Sequence, residues 1–262
     1  MATVAVSGAF DDIRSEQVRL LQEAASLGEL HVTLWTDAHV AARTGSPPKF
    51  PAEERLYFVE CLRFVAGASI GEEEFPNRAD IWAMTAEDAS PKTERHCRER
   101  GIRRAIIAPE QLRGFPPPQG QLPAAKNKKV LVTGCYDWLH TGHIRFFEEV
   151  SQYGNLYVVV GHDANIALLK GAGHPQFPQE QRRYMVAAIR FVSEALISSG
   201  DGWLDAEPEI ERIRPDIYAV NEDGDRPEKR DYCKAKGIEY LVLQRLPRPG
   251  LPRRQSTILR GF

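Results

Sequence analysis

The sequence predicts an α/β protein built from two consecutive copies of one unit, each a parallel sheet covered by helices. Three observations carry this expectation. Short apolar runs alternate with amphipathic stretches, a string of positions recurs in the same order in each half, and a proline-rich polar segment lies between the halves.

In the second half the elements read in order as a strand over 129–133, a helix over 141–153, a strand over 156–161 and a helix over 179–192. A strand over 217–220, a helix over 226–236 and a final strand over 240–243 follow. Strict alternation implies parallel strands, and such sheets bind ligands beyond their carboxyl ends. The loop 134–142 is therefore where chemistry is expected.

The repeat is direct. Ser7-Gly-Ala-Phe-Asp-Asp-Ile-Arg-Ser-Glu-Gln-Val-Arg19 lies over Thr133-Gly-Cys-Tyr-Asp-Trp-Leu-His-Thr-Gly-His-Ile-Arg145, and Leu27-Gly-Glu-Leu lies over Tyr153-Gly-Asn-Leu. The correspondence continues with Thr36-Asp-Ala over His162-Asp-Ala. It returns in Arg78-Ala-Asp-Ile-Trp-Ala over Arg214-Pro-Asp-Ile-Tyr-Ala and in Cys97-Arg-Glu-Arg-Gly-Ile over Cys233-Lys-Ala-Lys-Gly-Ile. The segment 115–129, rich in proline and polar residues, reads as a semi-rigid linker, so the domains are placed at 1–124 and 125–262.

Bulk properties narrow the class. The 262 residues are 42% hydrophobic and 27% charged, and no apolar run approaches the roughly 18 residues of a membrane helix. The first strand begins almost at Met1, without the features of a secretory signal, so a cytoplasmic protein is expected. Four cysteines lie far apart without a C-x-x-C pair, so no zinc or redox motif is read and no metal-ligand set is assigned. A net charge of -2 gives no global attraction for nucleic acid or an anionic membrane. Any phosphate chemistry must rest on local cations.

Two motifs supply candidates. In His140-Thr-Gly-His143, Gly142 lets backbone approach a ligand, and the helix start offers free N–H groups and positive dipole to phosphate. Two imidazoles there can donate to an α-phosphate and to a departing pyrophosphate. In Gln255-Ser-Thr-Ile-Leu-Arg260, Ser256 and Thr257 stand as helix-capping residues that can hold phosphates, with Arg260 about a turn further on. Singly, each motif is also satisfied by ordinary capping; together they point to nucleotide phosphate. Cys135 in the same loop has no evident base and reads as a small buried thiol.

With both motifs, the stretch 129–262 resembles the HxGH nucleotidyltransferase superfamily, the cytidylyltransferase-like group, which implies Rossmann-like domains. Gly134-Cys-Tyr-Asp-Trp-Leu-His-Thr-Gly-His143 matches its first signature. Gln255-Ser-Thr-Ile-Leu-Arg260 matches its closing one, with Gln and Leu in place of Ser and Ile. The resemblance implies catalytic roles for His140, His143, Lys170 and Arg260, and nucleotide binding by Gly134, Cys135, Tyr136, Asp137, Gly142, Arg182, Ser256 and Thr257. It implies direct attack of an acceptor phosphate on the α-phosphorus of a triphosphate, with Mg2+ on the phosphates and no covalent enzyme intermediate.

The tandem layout resembles the ethanolamine-phosphate cytidylyltransferases, which favours CTP and a phosphorylated alcohol or sugar. The stretches 169–182 and 222–225 are as similar to sugar-phosphate (heptose) adenylyltransferases, which keeps ATP as the alternative. A nucleotide-binding regulator without catalysis is a further reading. A dinucleotide-binding oxidoreductase would want a G-x-G-x-x-G turn, and none occurs.

The first copy lacks the chemistry. Arg14 and Gln17 hold the histidine positions, Glu16 replaces the glycine, and 109–118 has no Ser-Thr-x-x-Arg. It is expected to be a degenerate domain acting as an intramolecular pseudo-partner, with a homodimer as the other arrangement.

Overall fold

The computed structural model describes every residue except 73, 74, 119, 121, 255–258 and 260–262. The chain divides into two compact units, Met1–Gln121 and Leu122–Phe262. Among the described residues, each unit builds a five-stranded parallel sheet. No described helix is long and apolar enough to cross a membrane.

The first unit runs β1 (Thr3–Gly8), α1 (Ser15–Ala25), β2 (Glu29–Trp35), α2 (Asp37–Thr44), α3 (Ala52–Glu60), β3 (Gly67–Gly71), β4 (Ile81–Thr85), α4 (Pro91–Arg100) and β5 (Arg103–Ile107). The second runs β6 (Lys129–Gly134), α5 (Thr141–Val150), β7 (Asn155–Val160), α6 (Asp163–Lys170), α7 (Gln179–Ala187), β8 (Val192–Ile197), α8 (Glu207–Ile213), β9 (Ile217–Asn221), α9 (Pro227–Lys236) and β10 (Glu239–Leu243). Only α8 has no α-helical counterpart among the described elements of the first unit.

The sheet orders are β3-β2-β1-β4-β5 and β10-β9-β6-β7-β8, the same arrangement twice. Register agrees on both edges of the first strand of each sheet. Thr3 pairs with Glu29 and Ala5 with Trp82, as Lys129 pairs with Asn155 and Leu131 with Tyr218. In each sheet the chain leaves its first strand in one direction and later returns to pair on that strand's other edge, so the crevice between β1 and β4, or between β6 and β9, is the topological switch point.

The central strands are apolar because helices cover both sheet faces. Val130, Leu131, Val132, Leu156, Val158 and Val160 are fully buried, and Val4, Leu30 and Leu34 serve the same role in the first unit. Entry into β2 and β7 depends on a matched pair of glycines. A Cβ on Gly28 would lie 2.1 Å from the Ala2 carbonyl oxygen, and one on Gly154 would lie 2.4 Å from that of Lys128. Those carbonyls accept the first cross-strand bonds, from the Glu29 and Asn155 amides, each at 2.8 Å.

Three expectations need correction. The helix expected over 179–192 ends at Ala187, and Val192 already opens β8. Ala188, Ile189 and Val192 are fully buried, so the apolar pattern runs on after the helix has stopped. The helix expected to reach 153 ends at Val150. Lys170, which the sequence reading places in no helix or strand, is the last residue of α6, whose Leu168 and Leu169 face solvent and hide the helical period.

Gly154→Ala should cost about 1–3 kcal/mol in urea unfolding, because backbone rather than a flexible side chain blocks the added methyl. Gly224→Ala, where the nearest atom would be 3.8 Å away, should leave stability unchanged. Equal stabilities for the two variants would contradict the close-approach reading.

Candidate active site

The site grows from the loop between β6 and α5. Tyr136 takes a left-handed backbone (φ 51°), which turns the chain sharply after the strand. Its ring is buried over Gly134, where a Cβ would meet it at 2.7 Å, and meets His143 edge-on with centroids 5.3 Å apart. Tyr136 is thus a floor beneath the histidine, and burial pushes its hydroxyl well above the usual tyrosine range.

Asp137 is buried and accepts the Gln176 and Phe177 amides through Oδ1, at 2.7 and 3.0 Å, clamping the segment before α7. Arg182, expected among the nucleotide contacts, has only 1% of its surface exposed. Its guanidinium donates to the carbonyls of Phe177 (2.9 Å), Cys135 (2.6 Å) and Gly161 (2.8 Å) and to Asp163 (2.6 Å). Arg182 therefore positions the loops and does not face a ligand.

His140 is the N-cap of α5, and its Nδ1 accepts the Gly142 amide at 3.1 Å. That bond assigns the ring proton to Nε2. His140 and His143 stack with centroids 4.0 Å apart. His140 Nε2 and His143 Nδ1 are both buried and without a hydrogen-bond partner. Desolvation, with the charges of Arg245 and Arg254, pulls His140 down to about 3. Desolvation, His140, Arg245 and Lys170 hold His143 well below the usual histidine range. At neutral pH the pair is uncharged, an N–H donor set inside a field of cations.

Lys170 is exposed and still close enough to act on His143. Cys135 is partly buried and contributes its carbonyl to Arg182. Gly142 leaves no room for a side chain, since a Cβ would sit 2.9 Å from the His140 ring. Ser256, Thr257 and Arg260 lie outside the described residues.

The structure adds residues that the motifs did not single out. A shallow open cleft runs from the start of α5, with Gly142 and Phe146, to Asn221 at the end of β9, Gln244 and Arg245 just after β10, and Arg254 beyond them. It lies at the switch point, and the buried Asn221 Oδ1 has no partner. Arg245 pairs with Asp223 and donates to the Arg254 carbonyl at 3.3 Å, and Arg253 reaches Glu222 at 3.3 Å. The run of arginines after the last strand, Arg245, Arg248, Arg253 and Arg254, was the available sequence signal.

In the first unit the start of the equivalent helix carries other contacts. Gln17 Oε1 accepts the Arg14 amide at 2.9 Å, and Arg14 pairs with Asp12 at 2.6 Å. The framework around it persists. Arg55 donates to the carbonyls of Phe50, Ala9 and Trp35 and to Asp37, and Asp11 accepts the Lys49 and Phe50 amides.

The cytidylyltransferase-like family model matches residues 131–245. The FAD synthase of Ferroglobus placidus is 36% identical over 120 residues, which are 45% of this chain and 75% of that relative. The chain belongs to the cytidylyltransferase-like nucleotidyltransferases. The bifunctional protein HldE of Azotobacter vinelandii is 29% identical over 238 residues, 83% of this chain and 49% of that protein, so the transferase spans about half of it. A solved lipopolysaccharide core biosynthesis protein from Thermoplasma volcanium overlays on 49% of the transferase chain and 98% of its own, with 22% identity and a TM-score of 0.39.

The histidine state has a pH signature. Unfolded histidines take up protons as pH falls through about 6.5, whereas His140 stays neutral until about 3. The unfolded state then binds more protons, so the pair lowers stability as pH falls from about 6.5 and has no effect above it. In a proton NMR titration of the seven histidines in the ligand-free protein, the His140 and His143 ring signals should not move between about pH 8 and 5. Midpoints near about 6.5 for both would contradict the buried neutral pair.

Proposed function

We propose that the second unit transfers a nucleoside monophosphate, AMP from ATP in our preferred reading, to a phosphorylated small molecule with release of pyrophosphate. The observation that carries the reading is the pair of buried, neutral imidazoles at the start of α5, each with a ring nitrogen lacking a partner. An unmade buried hydrogen bond costs about 1–3 kcal/mol. Oxygens of an α-phosphate or of leaving pyrophosphate would relieve that cost, most strongly as charge builds in the transition state.

In the proposed step an acceptor phosphate oxygen forms a bond to the α-phosphorus as the bond to the bridging oxygen of pyrophosphate breaks. His140 donates through Nε2, His143 contributes the second ring, and Lys170, Arg245 and Arg254 surround the phosphates with positive charge. Ser256, Thr257 and Arg260 join this set by sequence alone. Among the described residues no three His, Cys, Asp or Glu side chains are placed to hold a metal together. Mg2+, which supplies charge neutralisation on the phosphates, fits as an ion carried by the triphosphate and its waters.

The base is argued from the relatives and from the sequence. FAD contains an adenylate joined to a flavin phosphate, and FAD synthases stand among the relatives. The stretches 169–182 and 222–225 resemble sugar-phosphate adenylyltransferases. CTP, favoured by the tandem layout, gains no support from these relatives and becomes the second reading. The acceptor classes to test are sugar phosphates and flavin mononucleotide, with phosphorylated alcohols beside them.

The first unit, 1–124, is read as a degenerate partner domain that takes no part in the chemical step. The test is pyrophosphate release with Mg2+, each of ATP, CTP, GTP and UTP, and a panel of those acceptors. ATP with one acceptor class should give release, and His143→Ala should lower it by about 10²-fold or more. Release with CTP alone would overturn the adenylate preference. Release unchanged in His143→Ala would overturn the assignment of the site.

A further inference from the structure

The first unit has lost the histidine pair and yet holds an open cleft at its own switch point. Ser7 of β1, Trp35 of β2 and Met84 of β4 contribute to it. Phe75 and Trp82 form an aromatic pair on its lining, with ring centroids 5.3 Å apart. Two cations stand over its aromatic rings, Arg43 at 4.7 Å from the Trp35 centroid and Lys92 at 4.9 Å from that of Phe75. The Trp35 indole N–H is buried and has no hydrogen-bond partner.

This lining is not a remnant of the active copy. Trp35 and Gly161 occupy one backbone position, since their carbonyls accept the same nitrogen of Arg55 and Arg182, each at 2.8 Å. Arg43 and Leu169 are the penultimate residues of α2 and α6, and Lys92 and Glu228 follow the prolines that open α4 and α9. The first unit therefore sets an indole and two cations where the active unit has glycine, leucine and glutamate. Simple decay of a catalytic site gives no reason for three changes that converge on one cleft with aromatic and positive character.

We propose that this cleft is a second nucleotide site, which binds a nucleoside phosphate as an effector and does not turn it over. Aromatic walls suit a base, which stacks on indole and phenyl faces. The Trp35 N–H supplies a donor that at present lacks an acceptor, and Arg43 and Lys92 supply charge for phosphate. Asp88 on the rim, whose Oδ2 accepts the Thr85 hydroxyl at 2.8 Å, has capacity left to accept from ribose or an exocyclic amine. Glu16 at the start of α1 and the absent imidazoles leave nothing there to assist transfer.

The test is equilibrium dialysis of the full chain with radiolabelled ATP, in parallel with Trp35→Leu and the surface variant Lys92→Glu. Two equivalents per chain are expected in the parent. One should be lost in Trp35→Leu, and the same one should weaken at least about tenfold in Lys92→Glu, with basal pyrophosphate release retained in both variants. A single equivalent that Trp35→Leu abolishes would support this site while leaving the transferase site without its nucleotide. A single equivalent that survives both substitutions, two equivalents that survive both, or no binding at all would overturn the proposal, the first of these without touching the transferase reading.

Discussion

The buried guanidinium of Arg182 is the interaction on which the site depends. Loops at the carboxyl ends of parallel strands leave carbonyl groups outside the ladders, and a buried carbonyl without a donor is costly. One planar, permanently charged fork meets the carbonyls of Cys135, Gly161 and Phe177 together, and Asp163 balances its charge. Three chain segments are thereby fixed relative to β6, including the loop that delivers Tyr136 beneath His143. A lysine could not reproduce that set, because its three donors radiate from a single atom.

Arg55 makes the same four kinds of bond in the first unit, so the duplication separates what builds the fold from what performs the chemistry. The Asp11 clamp, the left-handed Phe10 and the close approach at Gly28 are all retained there. The imidazoles and the glycine at the helix start are not. Scaffold residues are held by backbone groups that any sequence on this fold would expose, whereas each histidine keeps one buried ring nitrogen that no protein group meets. The first can persist without the second.

The duplication, the parallel order and the helix-start position of His140 and His143 were legible because they are written in local signals: alternation, repeated strings, and glycine beside histidine after a strand. The role of Arg182 was not, because a motif places an arginine near a site without telling whether its fork turns to a ligand or to backbone. Asn221 at the end of β9, and Arg245 and Arg254 after β10, lie far from Gly142 in sequence, and only the sheet order brings them beside it. The edge strand β8 escaped notice because the partly buried Ser193 and the exposed Glu194 interrupt its apolar pattern.

The account rests on a site that offers hydrogen-bond donors and positive charge and no protein nucleophile. The partly buried Cys135, in the same loop, is the group that could make this wrong. Exchange of labelled pyrophosphate into the triphosphate, measured without any acceptor, decides the matter most directly. Direct transfer predicts no incorporation until the acceptor is added. Incorporation in its absence would show a nucleotide held covalently on the protein and would contradict the account.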